Sequence, residues 1–298
     1  MASKPNLGSN NPSREFGIAG AGRVARSLGK LLSDRGQKVV AIASREASRA
    51  ETAASFIASG VQALTYAELP SQVQNILIAV SDDAIEQVAK ILADDLREGT
   101  VLHTSGIYGT DVLAPLAEQG NSCAGLHPLQ TIATSEQGLE KLPGSTFSVT
   151  GSGRAAEWAD EIISLLEGET LSISPDQKPA YHAAAVMASN YIVALIDAAV
   201  QVMGAAGVEP EPARRALAPL IEASVENALK QPGNALTGPI QRGDIQTLAL
   251  HLQGLVPLPS SVEQLYRSLG MHTVQVARRQ GLESADASQV EDVLRGTK

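Results

Sequence analysis

The sequence predicts a doubly wound α/β domain with a mostly parallel sheet, followed by an all-α domain. Three observations carry this. Short runs rich in Val, Ile and Ala alternate with helical stretches from Glu15 to about Pro175. A Gly-x-Gly-x-x-Ala run, Gly20 to Ala25, stands at the first strand-to-helix junction. Beyond Pro175 the strand-like runs stop, and alanine-rich helical segments punctuated by prolines take over.

Glu15 to Ala19 reads as the first strand and Arg23 to Arg35 as a helix closed by Gly36, a residue suited to the left-handed turn after a helix. Lys38 to Ala43 is a second buried strand, and an alanine-rich helix follows from about Glu46 to Ser59. Asn75 to Val80 is a third strand, after which Ser81-Asp82-Asp83 is expected to cap a helix running toward Leu96. Thr100 to Thr104, Ser122 to Leu126, Ser145 to Val149 and Thr170 to Ile173 complete the strands. Strands alternating with helices imply a sheet covered on both faces, and right-handed crossovers then fix most of the topology. In the second domain Ala180 to Ala205, Glu211 to Lys230, Asp244 to Leu252 and Ser260 to Gln280 read as helices, with a short one near Ala287 to Leu294. The organisation expected is a disordered tail over 1–14, an α/β domain over 15–175 and a helical domain over 176–298.

The formal net charge of −9, with no long basic run, argues against nucleic acid as a partner, because phosphate neutralisation needs clustered Lys and Arg. A small anion needs only a few local cations and stays open. One cysteine, Cys123, excludes an intrachain disulfide and a multi-cysteine zinc site; in its apolar run it reads as a buried structural thiol. The first 14 residues are rich in Ser, Asn and Pro and lack the apolar stretch of a signal peptide. No window reads as an uninterrupted membrane span, so the expectation is a soluble, cytoplasmic protein with no membrane partner.

Gly20-Ala21-Gly22-Arg23-Val24-Ala25 follows a strand and opens a helix, the context in which this pattern binds a dinucleotide on a Rossmann domain. Gly20 permits the tight turn. Gly22 has no side chain, so backbone can approach a pyrophosphate at the helix N-terminus. An acidic residue at the tip of the second strand would bind the ribose 2′-hydroxyl of NAD. Here the tip reads Ala43-Ser44-Arg45. Ser44 can donate to a 2′-phosphate and Arg45 can pair with it through its planar fork, which favours NADP(H). The alternative is that Arg45 is an ordinary solvated residue at a helix start. Ligands of such sheets lie beyond the carboxyl ends of the strands, so Val80 and Ser81 are expected on the nicotinamide side, and Ser105 beside the cofactor.

Several further runs are distinctive: His103-Thr-Ser-Gly106, Gly125-Leu-His-Pro-Leu-Gln-Thr131, Tyr181-His-Ala-Ala-Ala185 with Ser189-Asn190, and Leu236-Thr-Gly-Pro-Ile-Gln-Arg-Gly-Asp244 with His251. Together they resemble a family of bacterial two-domain proteins that join a Rossmann-like domain to a C-terminal domain of formerly unknown function. That family looks related to reductases with a 6-phosphogluconate-dehydrogenase-like C-terminal domain, among them ketopantoate reductase, pyrroline-5-carboxylate reductase and the β-hydroxyacid dehydrogenases. The resemblance covers nearly the whole chain from Phe16 onward. It implies an NADP(H)-dependent oxidoreductase acting on a small anionic oxo acid in a cleft between the domains, and a homodimer paired through the helical domain. A cofactor-binding sensor without turnover and an imine reductase for a pyrroline-like substrate are the alternatives.

Reduction of a carbonyl needs a proton donor for the developing alkoxide. The resemblance implies a Lys near the start of the long helix, here Lys178, and an Asn on a later turn, here Asn190. Pro179 is expected to push Lys178 into an extended, cap-like backbone. His182 sits further into that helix, and Ser189 follows seven residues later, about 20° around the axis and ~10 Å along it. His182, Ser189 and Asn190 can thus present a proton donor and two polar anchors to one ligand, and an imidazole titrates near neutral pH. The other reading of His182 is a satisfied interior histidine among alanines. His127, fixed by Pro128, can bind substrate or the nicotinamide carboxamide, and His103 can do likewise; a structural role is open for both. The histidine spacing matches no compact zinc motif, so no metal is expected. Thr237 and Arg242 are candidate substrate contacts, Arg242 as a carboxylate clamp; Asp244 is either a third contact or the cap of the next helix.

Overall fold

The computed structural model describes residues 14–296, so the expectation for the tail lies outside the described residues except at Arg14. Arg14 is anchored: its guanidinium pairs with Glu161 at 3.1 Å and stands 5.7 Å from the centre of the Trp158 ring. The chain divides into two compact units, residues 1–189 and 190–298.

The first unit is built in chain order from β1 (Glu15–Ala19), α1 (Arg23–Asp34), β2 (Lys38–Ala43), α2 (Ala47–Ile57), β3 (Gln62–Leu64), β4 (Asn75–Ile78), α3 (Ile85–Ala93), β5 (Thr100–His103), α4 (Ala114–Ala117), β6 (Ser122–Pro128), α5 (Ser135–Lys141), β7 (Thr146–Gly151), α6 (Gly153–Leu165), β8 (Glu169–Ser172) and α7 (Lys178–Ala188). The eight strands form one sheet in the order β3-β2-β1-β4-β5-β6-β7-β8. Every neighbouring pair is parallel except β6 and β7. The reversal of strand order beside β1 opens the crevice in which such sheets hold ligands.

Alternation along the strands builds a core on each face. Phe16 and Ile18 of β1 join Leu28 of α1 and Trp158 of α6 in one cluster; the Phe16 and Trp158 rings meet edge-on at 5.7 Å. Ala19 of β1, with Ile76 and Ile78 of β4, packs against Ile85, Val88 and Leu92 of α3 on the other. Cys123 is half-buried beside this second cluster, and desolvation raises its thiol to about 11, so it stays protonated and inert.

The lead into α3 differs from the expected capped start. A 3-10 turn over Asp82–Ala84 precedes the helix, and no side chain of Ser81 caps it.

The second unit contains α8 (Asn190–Ala205), α9 (Pro210–Lys230), α10 (Ile245–Leu255), α11 (Ser260–Arg279) and α12 (Ser284–Arg295). Its core joins Leu248 of α10, Val274 and Ala277 of α11, and Val290 and Leu294 of α12. Gly270 lets α11 approach α12, since a Cβ there would lie 2.9 Å from Leu294. By contrast α8 buries Val200 alone and α9 Ala213 alone.

Two expectations are corrected at the junction. The segment read as one helix from Ala180 to Ala205 breaks at Ser189, whose backbone leaves the helical region (φ −129°, ψ −77°). α7 falls in the first unit, beyond the boundary read at residue 175, because its first residue, Lys178, is buried in that unit's polar interior. The run Pro175–Ala205 also meets the length and composition of a membrane span, contrary to the sequence reading. Asp197 is its one charge after Lys178, which is why it passes.

Candidate functional site

Two constellations of the first unit gather the candidate residues. One is a cleft of about 630 Å³ at the carboxyl ends of β1, β2 and β4. Gly20 and Gly22 form its floor in different ways. Gly20 adopts φ +125°, and a Cβ there would lie 2.2 Å from the Ala79 carbonyl oxygen, so this position admits glycine only. A Cβ at Gly22 would meet open space, so the absent side chain leaves room for a ligand rather than for neighbouring protein. Gly22 is the N-cap of α1, no side chain caps the helix, and its first turn holds no acidic residue. The cleft therefore offers backbone N–H groups and a positive dipole end to an anion.

Ala21, Arg23, Val24, Ser44, Arg45, Val80 and Ser81 all line this cleft, as the strand-loop-helix reading places them. Arg23 also donates to the Ala133 carbonyl at 3.0 Å, which ties the loop before α5 to the cleft. Sequence reasoning missed Arg49 and Tyr66, which line it too. Arg49 lies in the first turn of α2, just after Arg45 at the strand tip, so its nearness to the cleft follows from the short link between β2 and α2. Tyr66, in the chain leaving β3, takes a hydrogen bond from the Arg45 backbone N–H; burial raises its hydroxyl while Arg45 pulls it down. Glu46 corrects the reading of an acid-free strand tip, since it lines the cleft one residue beyond Arg45. Its carboxylate lies 3.8 Å from Arg49, which offsets its charge.

The second constellation gathers the ends of β5, β6 and β7 with the start of α7. Thr104 lines the cleft, and two residues on, Gly106 is flanked by two imidazoles. A Cβ on Gly106 would lie 2.5 Å from Nδ1 of His182 and 2.8 Å from Nε2 of His127. The two rings stand 6.2 Å apart. Nδ1 of His182 is buried without a hydrogen-bond partner among the protein groups. His127 Nδ1 lies 2.8 Å from the Tyr181 hydroxyl, and burial with the nearby Lys178 charge holds its imidazole down at about 3.

Lys178 departs from expectation. Its backbone is helical (φ −54°, ψ −42°), not extended, because Ser174 and Gln177 form a capping box around a 3-10 turn that feeds directly into α7. Its side chain is fully buried, donates to the Ser105 carbonyl at 3.1 Å and to Ser148 Oγ at 3.4 Å, and passes 5.5 Å from the Tyr181 ring centre. Burial pushes the amine down to about 8.

Other candidates are engaged within the fold or lie in the second unit. His103 is buried; its Nε2 donates to the Gly109 carbonyl at 2.9 Å and its Nδ1 accepts from the Ser105 N–H at 3.1 Å, so no ring nitrogen remains for a ligand. Ser105, expected beside the cofactor, is buried, and its hydroxyl accepts from the Ile107 and Tyr108 N–H groups. Ser189 Oγ donates to the Ala185 carbonyl at 2.7 Å, across the last turn of α7. Asp244 is the cap of α10: its carboxylate takes the Thr247 hydroxyl at 2.6 Å and the Thr247 N–H at 3.0 Å, which hold its pKa down. Asn190, Thr237 and Arg242 belong to the second unit.

The family models divide the chain earlier than the two compact units do. Residues 2–128 match the model of a Rossmann-like domain, and residues 145–273 match DUF2520, a domain of unknown function. No curated protein matches the chain. Among solved structures, a candidate NADP oxidoreductase of Bacteroides fragilis is 21% identical, with a TM-score of 0.72 over 91% of this chain and 99% of that one. An imine reductase from Pseudomonas sp. is 14% identical, with a TM-score of 0.62 over 96% of this chain and 100% of the other. The Plasmodium falciparum pyrroline carboxylate reductase, with NADP bound, is 12% identical, with a TM-score of 0.57 over 94% of this chain and 98% of that one. At these identities the likeness is one of fold.

Proposed function

The chain joins a Rossmann-like domain to a DUF2520 domain, and from that premise we propose that it is an NADP(H)-dependent oxidoreductase that reduces a small anionic oxo acid. The observation that carries the reading is the cleft: Gly20 packed against the Ala79 carbonyl with no room for a side chain, open space over Gly22, and Arg23, Arg45 and Arg49 around one cavity of about 630 Å³. That size suits a cofactor-sized ligand. Gly22 and the first turn of α1 would hold the pyrophosphate, and Ser44, Arg45 and Arg49 the 2′-phosphate, with Glu46 already offset by Arg49. When bound, the nicotinamide supplies a hydride. The chain's own part is to orient the carbonyl near Thr104 and Gly106, exclude water, and deliver a proton.

Imine reduction is the second reading, and the names of the Pseudomonas and Plasmodium neighbours favour it. Charge argues for a carbonyl. Burial first and then the Lys178 charge depress His127, so the ammonium is the cation that bears on this end of the site. Such surroundings stabilise an oxygen that becomes negative and disfavour a cationic iminium.

Titration with NADPH and NADH, followed by NADPH oxidation against 2-oxo acids that include ketopantoate and against pyrroline-5-carboxylate, tests the proposal. Tighter NADPH binding with turnover of a 2-oxo acid is expected. Turnover of the imine alone would replace the substrate class, and NADPH binding with no turnover on any substrate would leave a sensor.

A further inference from the structure

Four side chains from three elements, β6, β7 and α7, form one hydrogen-bonded line in the first unit. Lys178 Nζ donates to Ser148 Oγ at 3.4 Å, the Ser148 hydroxyl bonds to Tyr181, and the Tyr181 hydroxyl lies 2.8 Å from His127 Nδ1. Donors and acceptors can be assigned in sequence. An ammonium only donates, so Ser148 Oγ accepts from Lys178 and its own hydrogen goes to Tyr181. The Tyr181 hydrogen then goes to His127 Nδ1, which leaves the single hydrogen of the neutral imidazole on Nε2. That nitrogen faces Gly106, two residues from Thr104 in the dinucleotide cleft.

We infer that His127 Nε2 is the proton donor to the reduced carbonyl, resupplied from Lys178 through Ser148 and Tyr181. This rests on the oxidoreductase reading. In the step, the carbonyl carbon gains a hydride from the dihydronicotinamide class of reductant and the π pair moves onto oxygen. The oxygen takes the Nε2 proton while Nδ1 takes that of Tyr181. Tyr181 takes the Ser148 proton, and Ser148 takes one from Lys178, which becomes a neutral amine. One proton has moved from Lys178 to the product, and because the amine is fully buried it regains a proton from water only between turnovers. An imidazole held down at about 3 cannot store the proton at neutral pH, so His127 must pass one along; an amine at about 8 can supply it. Lys178 thus has a task although it is fully buried, and Tyr181 and Ser148 act through His127.

The charged or titratable groups that reach this line are Asp82 before α3, His103 on β5 and His182 on α7; Asp111 acts on His103 behind it. Nitrogen NMR of histidine in the cofactor-free protein tests the line without turnover. His127 is expected as the Nε2–H tautomer, with an inflection in its Nδ1 shift near pH 8 that reports Lys178. Tyr181→Phe, which keeps the ring, should abolish that inflection with the melting temperature nearly unchanged. Lys178→Met should abolish it too, whereas His182→Asn should leave it. In turnover, Tyr181→Phe should lower kcat about 100-fold with the KM for NADPH unchanged. An Nδ1–H tautomer in the wild type, or an inflection that survives Tyr181→Phe, would overturn the line. So would unchanged kcat in Tyr181→Phe with turnover otherwise normal. The expected NMR pattern without hydride transfer to any carbonyl or imine would instead overturn the oxidoreductase reading, and the donor role with it.

Discussion

An alanine at position 20 would put a methyl carbon 2.2 Å from the Ala79 carbonyl oxygen in a backbone conformation (φ +125°) that L residues rarely adopt. Gly20→Ala should therefore cost several kcal/mol of stability by urea unfolding, beyond the 1–3 kcal/mol of ordinary strain. Gly22→Ala has room and should fold normally while losing NADPH affinity; unchanged affinity would remove the pyrophosphate from this floor. Arg45 makes the complementary case. Replacing it with alanine removes a charge-assisted bond worth about 1.5–3 kcal/mol, so NADPH affinity should fall at least tenfold by calorimetry while that for NADH stays put. An unchanged ratio between the two would sink the 2′-phosphate assignment. The titratable residues set a pH window. His103 and His127 are held at about 4 and about 3, below the ordinary value of about 6.5. As pH falls below 6.5 the unfolded chain takes up these protons first, so stability is full above 6.5 and lost progressively toward pH 4 and below. Lys178 acts at the other end. Its amine is held at about 8, so the unfolded chain keeps a proton that the folded one releases, and stability rises with pH between about 8 and 10.5. Lys178→Met should flatten that alkaline rise in thermal melts; a rise that persists would show that another group causes it.

Elements were legible where one pattern dominated. β1, β2 and β4 are apolar runs flanked by turn residues, and α1 starts and stops within a residue of its sequence-read bounds. β3 was missed because it is three residues long and mostly exposed, which leaves no periodicity to read. α6 is not among the helices read from sequence, although Ala155, Trp158, Ala159, Ile162 and Ile163 form a helical stripe, because it lies between two strands, β7 and β8. The start of α7 was misread by a local rule, since pre-proline sterics lost to a capping box and a buried amine. The site divided in the same way. The glycine loop and the cleft residues near it are local in sequence and could be read. Tyr181 and Ser148 could not, because their hydrogen-bonded line joins β6, β7 and α7 and exists only once the sheet has formed. The α6 stripe gives a direct check: Trp158 packs edge-on against Phe16, and Trp158→Ala should cost about 3–5 kcal/mol in chemical unfolding. A cost below ~1 kcal/mol would mean that α6 does not close this face of the sheet.

At the scale of the molecule the unsolved surface is apolar. Within the second unit, α8 and α9 bury one residue each, while Val193 is 69% exposed, Leu220 63% and Leu229 80%. Single exposed aliphatics need no explanation, but two neighbouring helices with this composition do. Both are long enough to present a continuous face, at 16 and 21 residues, and both are rich in alanine, which lets helix axes approach closely. We propose that the partner is a second copy of the chain, since closed two-fold dimers are the commonest solution for such faces. A lipid surface is the competing occupant, because the run through α7 and α8 has the length and composition of a span. Charge separates the two. α9 carries Glu211, Arg214, Arg215, Glu222, Glu226 and Lys230 along its length, a polar load that a bilayer interior would reject and an aqueous dimer keeps at its rim. Light scattering should then give twice the chain mass without detergent. Leu220→Glu with Leu229→Glu should shift the protein toward monomer while NADPH still binds, since the cleft lies wholly in the first unit. A wild-type monomer in water, or recovery only with membranes or detergent, would reject the dimer.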